Sequence, residues 1–179
     1  MLPDNKKNLK SLATETMDKT SQNNRIELLQ SMPIFGGIRA DTLSFLLENS
    51  EQTTAQKNAY FYHENDKAHS LFVLTSGKVN LVKSWQDEDY VLKEVTPGNC
   101  FGEVALIDLQ TRNTSSLAVE NSCAIELTDE TLHKLYKREI EQFTMLRMNM
   151  AREVCRRLRE ADSRNFAADI QARQLKHSH

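Results

Sequence analysis

The hydrophobic and polar positions change their period along the chain. RIELLQSMPIF, Arg25 to Phe35, carries Ile26, Leu28 and Leu29 ahead of a break at Pro33. RADTLSFLLENS then places Leu43, Phe45, Leu46 and Leu47 behind Asp41, an N-cap residue type. Two short helices are expected, the second capped by Asp41. From about Ala55 to Ile125 the pattern becomes short β-type runs divided by turn residues: NAYFYH, SLFVLTSG, KVNLVKSW, YVLKEVTPG, SSLAV and CAIEL. Alternation at Val79–Leu81 and Val91–Val95 predicts antiparallel hairpins that close a small barrel or jelly roll. ENDK and WQDEDY read as loops between them, with Asn65 suited to a positive φ.

From Asp129 the period is helical. Phe143, Leu146, Met150, Val154, Leu158 and Ala161 recur at three- and four-residue steps, and Met145, Met148, Ala151 and Cys155 form a second stripe beside them. A helix apolar over so wide an arc needs two packing surfaces, its own barrel and a partner's copy of the same helix. The expected class is therefore α+β, mainly β, with a long C-terminal helix. The divisions are a flexible tail at 1–24, a β-roll with its N-terminal helices at 25–135, the long helix at 136–165, and a helix extension or mobile tail at 166–179.

Punctuation agrees with this division. The five glycines and three prolines all lie at or before Gly102, which leaves the second part free to form long helix. Hydrophobic residues make up 39% and charged residues 27%, with a net charge of -2, which gives no overall bias toward nucleic acid or membrane. No apolar stretch approaches the roughly 18 residues of a spanning helix. The N-terminus lacks the apolar core of a secretory signal. Cys100, Cys123 and Cys155 form no metal-type spacing and suit free thiols in a reducing cytoplasm. His63, His69 and His133 make no ligand pair, so neither metal nor cofactor is expected. RRLRE, Arg156 to Glu160, reads as a solvated helix face laced with i,i+4 ion pairs.

FGEVALIDLQTRNTSS, Phe101 to Ser116, departs from this plain picture because it sets a carboxylate and a guanidinium among core residues. Gly102 permits close backbone approach, and GEVALI suits one helical turn that presents the N–H groups of Glu103, Val104 and Ala105 to an anion. Arg112 returns on the next loop with a bidentate fork for the same anion, and Asn113, Thr114 and Ser115 add donors. Glu103 accepts hydrogen bonds only, so it calls for a hydroxyl on the same ligand. A phosphate and a hydroxyl a few ångströms apart describe a nucleotide. The competing reading is a structural Glu103–Arg112 ion pair in a barrel that binds nothing.

With these residues in place, the chain from about Arg25 to Arg164 resembles the cyclic nucleotide-binding domain family of bacterial catabolite-activator-type regulators and protein kinase regulatory subunits. The likeness rests on the FGE-V-AL-I…R cassette, on MPIFGGI, on ENDKAHSLFVLTSGKV and on VTPGNCFGE. It implies that Arg112 binds the cyclic phosphate and Glu103 the ribose 2′-hydroxyl. Backbone groups of Gly102, Val104, Ala105 and Asn113 would complete the cradle, beside Thr114, with Leu81 and Leu92 near the base. Asn65 stands where the family usually has glycine, His69 where it often has aspartate, and Asn113 where it has alanine, serine or threonine. Arg157 and Leu158 fall where the bacterial activators place a base-contacting hydroxyl pair, which removes those contacts. Only about fifteen residues follow Arg164, too few for a helix-turn-helix module. The expectation is a stand-alone, non-enzymatic cytoplasmic receptor for cAMP in preference to cGMP, dimeric through its long helix and signalling to a partner protein, without DNA or membrane contact. A non-binding dimerisation scaffold and a cyclic-dinucleotide receptor are the alternatives.

Overall fold

The computed structural model describes residues 24–86 and 88–177, so the tail expected at 1–24 lies, but for Asn24, outside the described residues. Helix α1 (24–31) leads into a 3-10 turn, Pro33–Phe35, and then into α2 (Ala40–Glu48). Pro33 opens its turn, where a missing N–H costs nothing. Asp41 does not cap α2: the N-cap is Arg39, and Asp41 sits in the first turn with its carboxylate 3.2 Å from the Arg39 Nε. The Arg39 backbone N–H is instead satisfied by Gln142, brought there by a later helix.

Eight strands follow in chain order: β1 (Glu51–Ala55), β2 (Tyr60–Tyr62), β3 (Ser70–Ser76), β4 (Val79–Trp85), β5 (Glu88–Val95), β6 (Cys100–Phe101), β7 (Ser115–Ala118) and β8 (Ser122–Thr128). They form two antiparallel four-stranded sheets, ordered β1-β8-β3-β6 and β2-β7-β4-β5. This bears out the α+β, mainly β roll read from the sequence. Strand β1 is EQTTA, which gives no apolar alternation because only Ala55 is buried; pairing with β8 makes it a strand. WQDEDY is a tight turn rather than an open loop, since β4 runs to Trp85 and β5 resumes at Glu88.

Strand β3 explains why SLFVL is continuously apolar. Successive side chains point to opposite faces of a sheet, and here both faces are covered. Phe72 and Leu74 enter the space between the sheets with Tyr62, Val79, Leu81, Val95 and Phe101. Leu71 and Val73 face the helices, where they meet Leu29, Phe35, Leu46, Leu135 and Leu146. The cassette helix α3 (Val104–Asp108) bridges these two cores, with Ala105 and Leu106 buried.

The C-terminal helical region is two helices, α4 (Asp129–Arg138) and α5 (Ile140–His177), broken at Glu139. Thr128 caps α4 by accepting the Thr131 N–H, with acidic residues in the first turn and basic ones in the last. The Glu139 carboxylate accepts from Arg39 Nη2 at 2.6 Å and Thr42 Oγ1 at 3.1 Å, which ties the break to the start of α2. On α5, Leu146 and Met150 are fully buried against the helical core, while Met145, Met148 and Cys155 on the neighbouring stripe are exposed.

Candidate functional site

Strand β6 delivers the site. Phe101 is fixed in the inner core, and Gly102 turns the chain at φ +80°, so that its carbonyl accepts from Arg112 Nη1 at 2.6 Å. A Cβ on Gly102 would lie 2.6 Å from that Nη1 and 3.3 Å from the Tyr62 ring. Both the positive φ and the close approach therefore require glycine. Gly102→Ala is expected to cost about 1–3 kcal/mol of unfolding free energy in urea, the usual penalty for a side chain held in this region. A loss below about 0.5 kcal/mol, the scale of a neutral surface change, would contradict the tight packing described.

Arg112 is held from three sides. Its backbone N–H donates to Asp66 O at 2.9 Å, and its carbonyl accepts from Asn65, whose φ of 71° turns the ENDK loop toward it. Its Nη2 donates to Ser70 Oγ at 3.3 Å, and its guanidinium carbon stacks 4.2 Å above the Tyr62 ring. The residue is only 4% exposed, and burial lowers its pKa. An arginine nevertheless keeps its charge in a protein. Among the described residues no carboxylate pairs with it, and its Nε has no hydrogen-bond partner. Burial also pushes the Tyr62 hydroxyl up to about 12.

Glu103, at the N-cap of α3, is fully buried. Burial raises its pKa, and the guanidinium opposing that rise is Arg157 on α5, which bonds Oε1. The competing Glu103–Arg112 ion pair does not form. Oε2 of Glu103 is buried without a partner among the described residues. Both orphaned atoms, a donor on Arg112 and an acceptor on Glu103, belong to residues lining one cleft of about 300 Å³. Buried polar groups are ordinarily satisfied, so two orphans in one cleft indicate a ligand that carries an anion and a hydroxyl.

The expected residues meet at this cleft: Leu81, Leu92, Gly102, Glu103, Val104, Ala105, Arg112, Asn113 and Thr114 all line it. Leu81 is buried and Leu92 is half-exposed at the rim. Ser115 is spent elsewhere, since its hydroxyl accepts the Glu64 N–H at 2.8 Å. Sequence reasoning missed the fourth wall. Val154, Arg157, Leu158 and Ala161 of α5 close the cleft opposite Leu81. Arg157 is turned inward rather than solvated, whereas Arg156 makes the expected surface pairs with Glu153 and Glu160. A larger cleft of about 650 Å³, lined by Leu109, Tyr136 and Phe143 among others, lies outside the barrel and contains no orphaned buried side-chain atom. Among the described residues no group of side chains could hold a metal ion, and no helix is long and apolar enough to cross a membrane.

A two-sheet antiparallel roll, a short cassette helix carrying a buried carboxylate, a buried arginine and a long helix over the opening define a small-ligand sensor domain. The chain belongs to the cyclic nucleotide-binding domain family, whose model matches residues 52–139. It is 27% identical over 135 residues to the cyclic AMP receptor protein of Thermus thermophilus, covering 75% of this chain and 61% of that one. It is 28% identical over 103 residues to human cGMP-dependent protein kinase 2, covering 56% of this chain and 14% of the kinase. The chain thus spans less than two thirds of either relative. A cyclic nucleotide-binding domain from Methylobacillus flagellatus shares the fold, with a TM-score of 0.71 at 19% identity over 81% of this chain and 82% of that one.

Proposed function

We propose that the protein is a cyclic nucleotide receptor, without catalytic activity, that prefers cAMP to cGMP. The observation that carries this reading is Arg112, a buried cation with no carboxylate partner among the described residues. A buried charge left unpaired is costly, and a cyclic phosphate supplies the missing anion. The ribose 2′-hydroxyl would donate to Glu103 Oε2, and the purine would lie between Leu81, Leu92 and the apolar side chains of α5. The preference for cAMP rests on the position after Arg112, where Asn113 replaces the threonine that suits guanine. Neither site residue is arranged as a nucleophile or a base beside an exchangeable proton, which favours a receptor over an enzyme.

Thermal shift with cAMP, cGMP and a cyclic dinucleotide tests the reading. The largest stabilisation is expected with cAMP, a smaller one with cGMP and none with the dinucleotide. No shift with any of them would support the non-binding scaffold instead. The output is a population shift, in which the ligand favours one position of α5 over another and a partner protein reads that position. Met145, Met148, Ala151 and Cys155 leave an apolar stripe on α5 that a second copy would cover, so the receptor is proposed to dimerise there. Met148→Glu is then expected to give monomers in sedimentation equilibrium; an unchanged monomer or dimer mass would remove α5 from the interface.

A further inference from the structure

Arg157 is the one long-range polar link between α5 and the cassette's carboxylate. Its Nη1 bonds Glu103 Oε1, its Nε donates to Glu153 Oε1 at 2.9 Å, and its Nη2 donates to the Cys100 carbonyl at 2.8 Å. A single guanidinium therefore ties the long helix to the end of β6 and to the start of α3. Its side chain is 16% exposed and that of Glu103 is 0% exposed, so water competes little with these bonds. Lys93 on β5 and Glu153 on α5 also bear on Glu103 through their charge, and Arg112 lies across the same cleft. Arg157 is the group among them that makes a bond to it.

A carboxylate with one oxygen fixed has its other oxygen aimed. Oε1 is committed to Arg157, and Oε2 is left buried and unpartnered among the described residues. On the reading of the cleft as a cyclic nucleotide site, we propose that Arg157 is a positioning residue: it orients Glu103 to accept the ligand's 2′-hydroxyl on Oε2 and so couples ribose recognition to the docking of α5. The coupling is reciprocal by linkage. If the Arg157 contact strengthens hydroxyl binding, the hydroxyl strengthens the Arg157 contact by the same factor. The guanidinium also offsets the desolvation that would otherwise protonate Glu103, and an ionised carboxylate is the stronger acceptor. In this way the sugar, not only the phosphate, reports to the long helix.

The test compares cAMP with 2′-deoxy-cAMP on wild type, Arg157→Gln and Arg157→Lys. Wild type is expected to favour the ribose form by about 10- to 100-fold, the worth of a hydrogen bond to a charged group. Arg157→Gln should reduce that preference to about threefold or less, and Arg157→Lys should restore part of it, because an ammonium keeps the charge without the fork. Full discrimination in Arg157→Gln would overturn the proposal. Hydrogen exchange of residues 153–164 without nucleotide tests the helix coupling by itself. Arg157→Gln and Glu103→Gln should each speed exchange, and the double variant should exchange no faster than the faster single one. Additive effects would show that the two residues act separately and would overturn the coupling. Wild type that binds neither nucleotide would overturn the receptor reading and the ribose role, with the exchange cycle still deciding whether Arg157 couples α5 to Glu103.

Discussion

Arg112→Ala is expected to weaken cAMP binding by about 2–5 kcal/mol, roughly 30- to several-thousand-fold, the cost of removing one partner of a buried charge pair. The expectation follows from the residue's surroundings. Gly102 O, Ser70 Oγ and the Tyr62 ring hold the guanidinium in place, but none of them neutralises it. Arg112→Lys should fail almost as badly, because a single ammonium cannot span the Gly102 carbonyl and an anion with a planar fork. The fold itself should survive, since the substitution removes a desolvated cation rather than a core hydrocarbon. Fluorescence displacement gives the affinities and circular dichroism the folded fraction. Near-wild-type affinity in folded Arg112→Ala would mean that the phosphate does not bind here.

Phe101→Ala should cost about 3–5 kcal/mol of stability, the usual range for truncating a buried phenylalanine. Phe101 is fully buried in the inner core, with its ring 5.2 Å from Phe72, 5.4 Å from Phe61 and 6.1 Å from Tyr62. It precedes Gly102 and Glu103 directly, so the cavity left behind would loosen the strand end that carries the carboxylate. Phe72 and Tyr62 also flank the Arg112 guanidinium, which makes the same aromatic cluster a floor for the anion site. Phe101→Leu keeps most of the volume and should lose much less. Urea unfolding measures both. A loss under about 1 kcal/mol for Phe101→Ala would show that the cluster does not pin β6.

Much of this arrangement was legible in the sequence, for identifiable physical reasons. Strands with one or two buried faces leave apolar alternation or apolar runs, and SLFVL and CAIEL did so. Strand β1 left none because its neighbour β8 supplies the pairing and only Ala55 is buried. The break at Glu139 carries no glycine or proline; it is stabilised by Arg39 and Thr42, distant in sequence and near only once folded. The cassette was visible because a glycine, a carboxylate and an arginine are out of place in a core.

Arg157 was hidden by its neighbours. Arg156 pairs with Glu153 and Glu160 at i−3 and i+4, and a basic run with such partners reads as surface. The signal that would have found Arg157 is its own spacing. Val154 precedes it by three residues and Ala161 follows by four, so Arg157 lies on the stripe that faces the cleft. A charged residue inside an apolar stripe asks for a buried partner, and Glu103 is that partner.

Calorimetric titration of the wild-type protein with cAMP tests the central claim most directly. The account predicts saturable binding of one cAMP per chain, abolished in Arg112→Ala. Absence of any saturable heat up to about 1 mM nucleotide, where the binding free energy would fall to −4.1 kcal/mol, would contradict it.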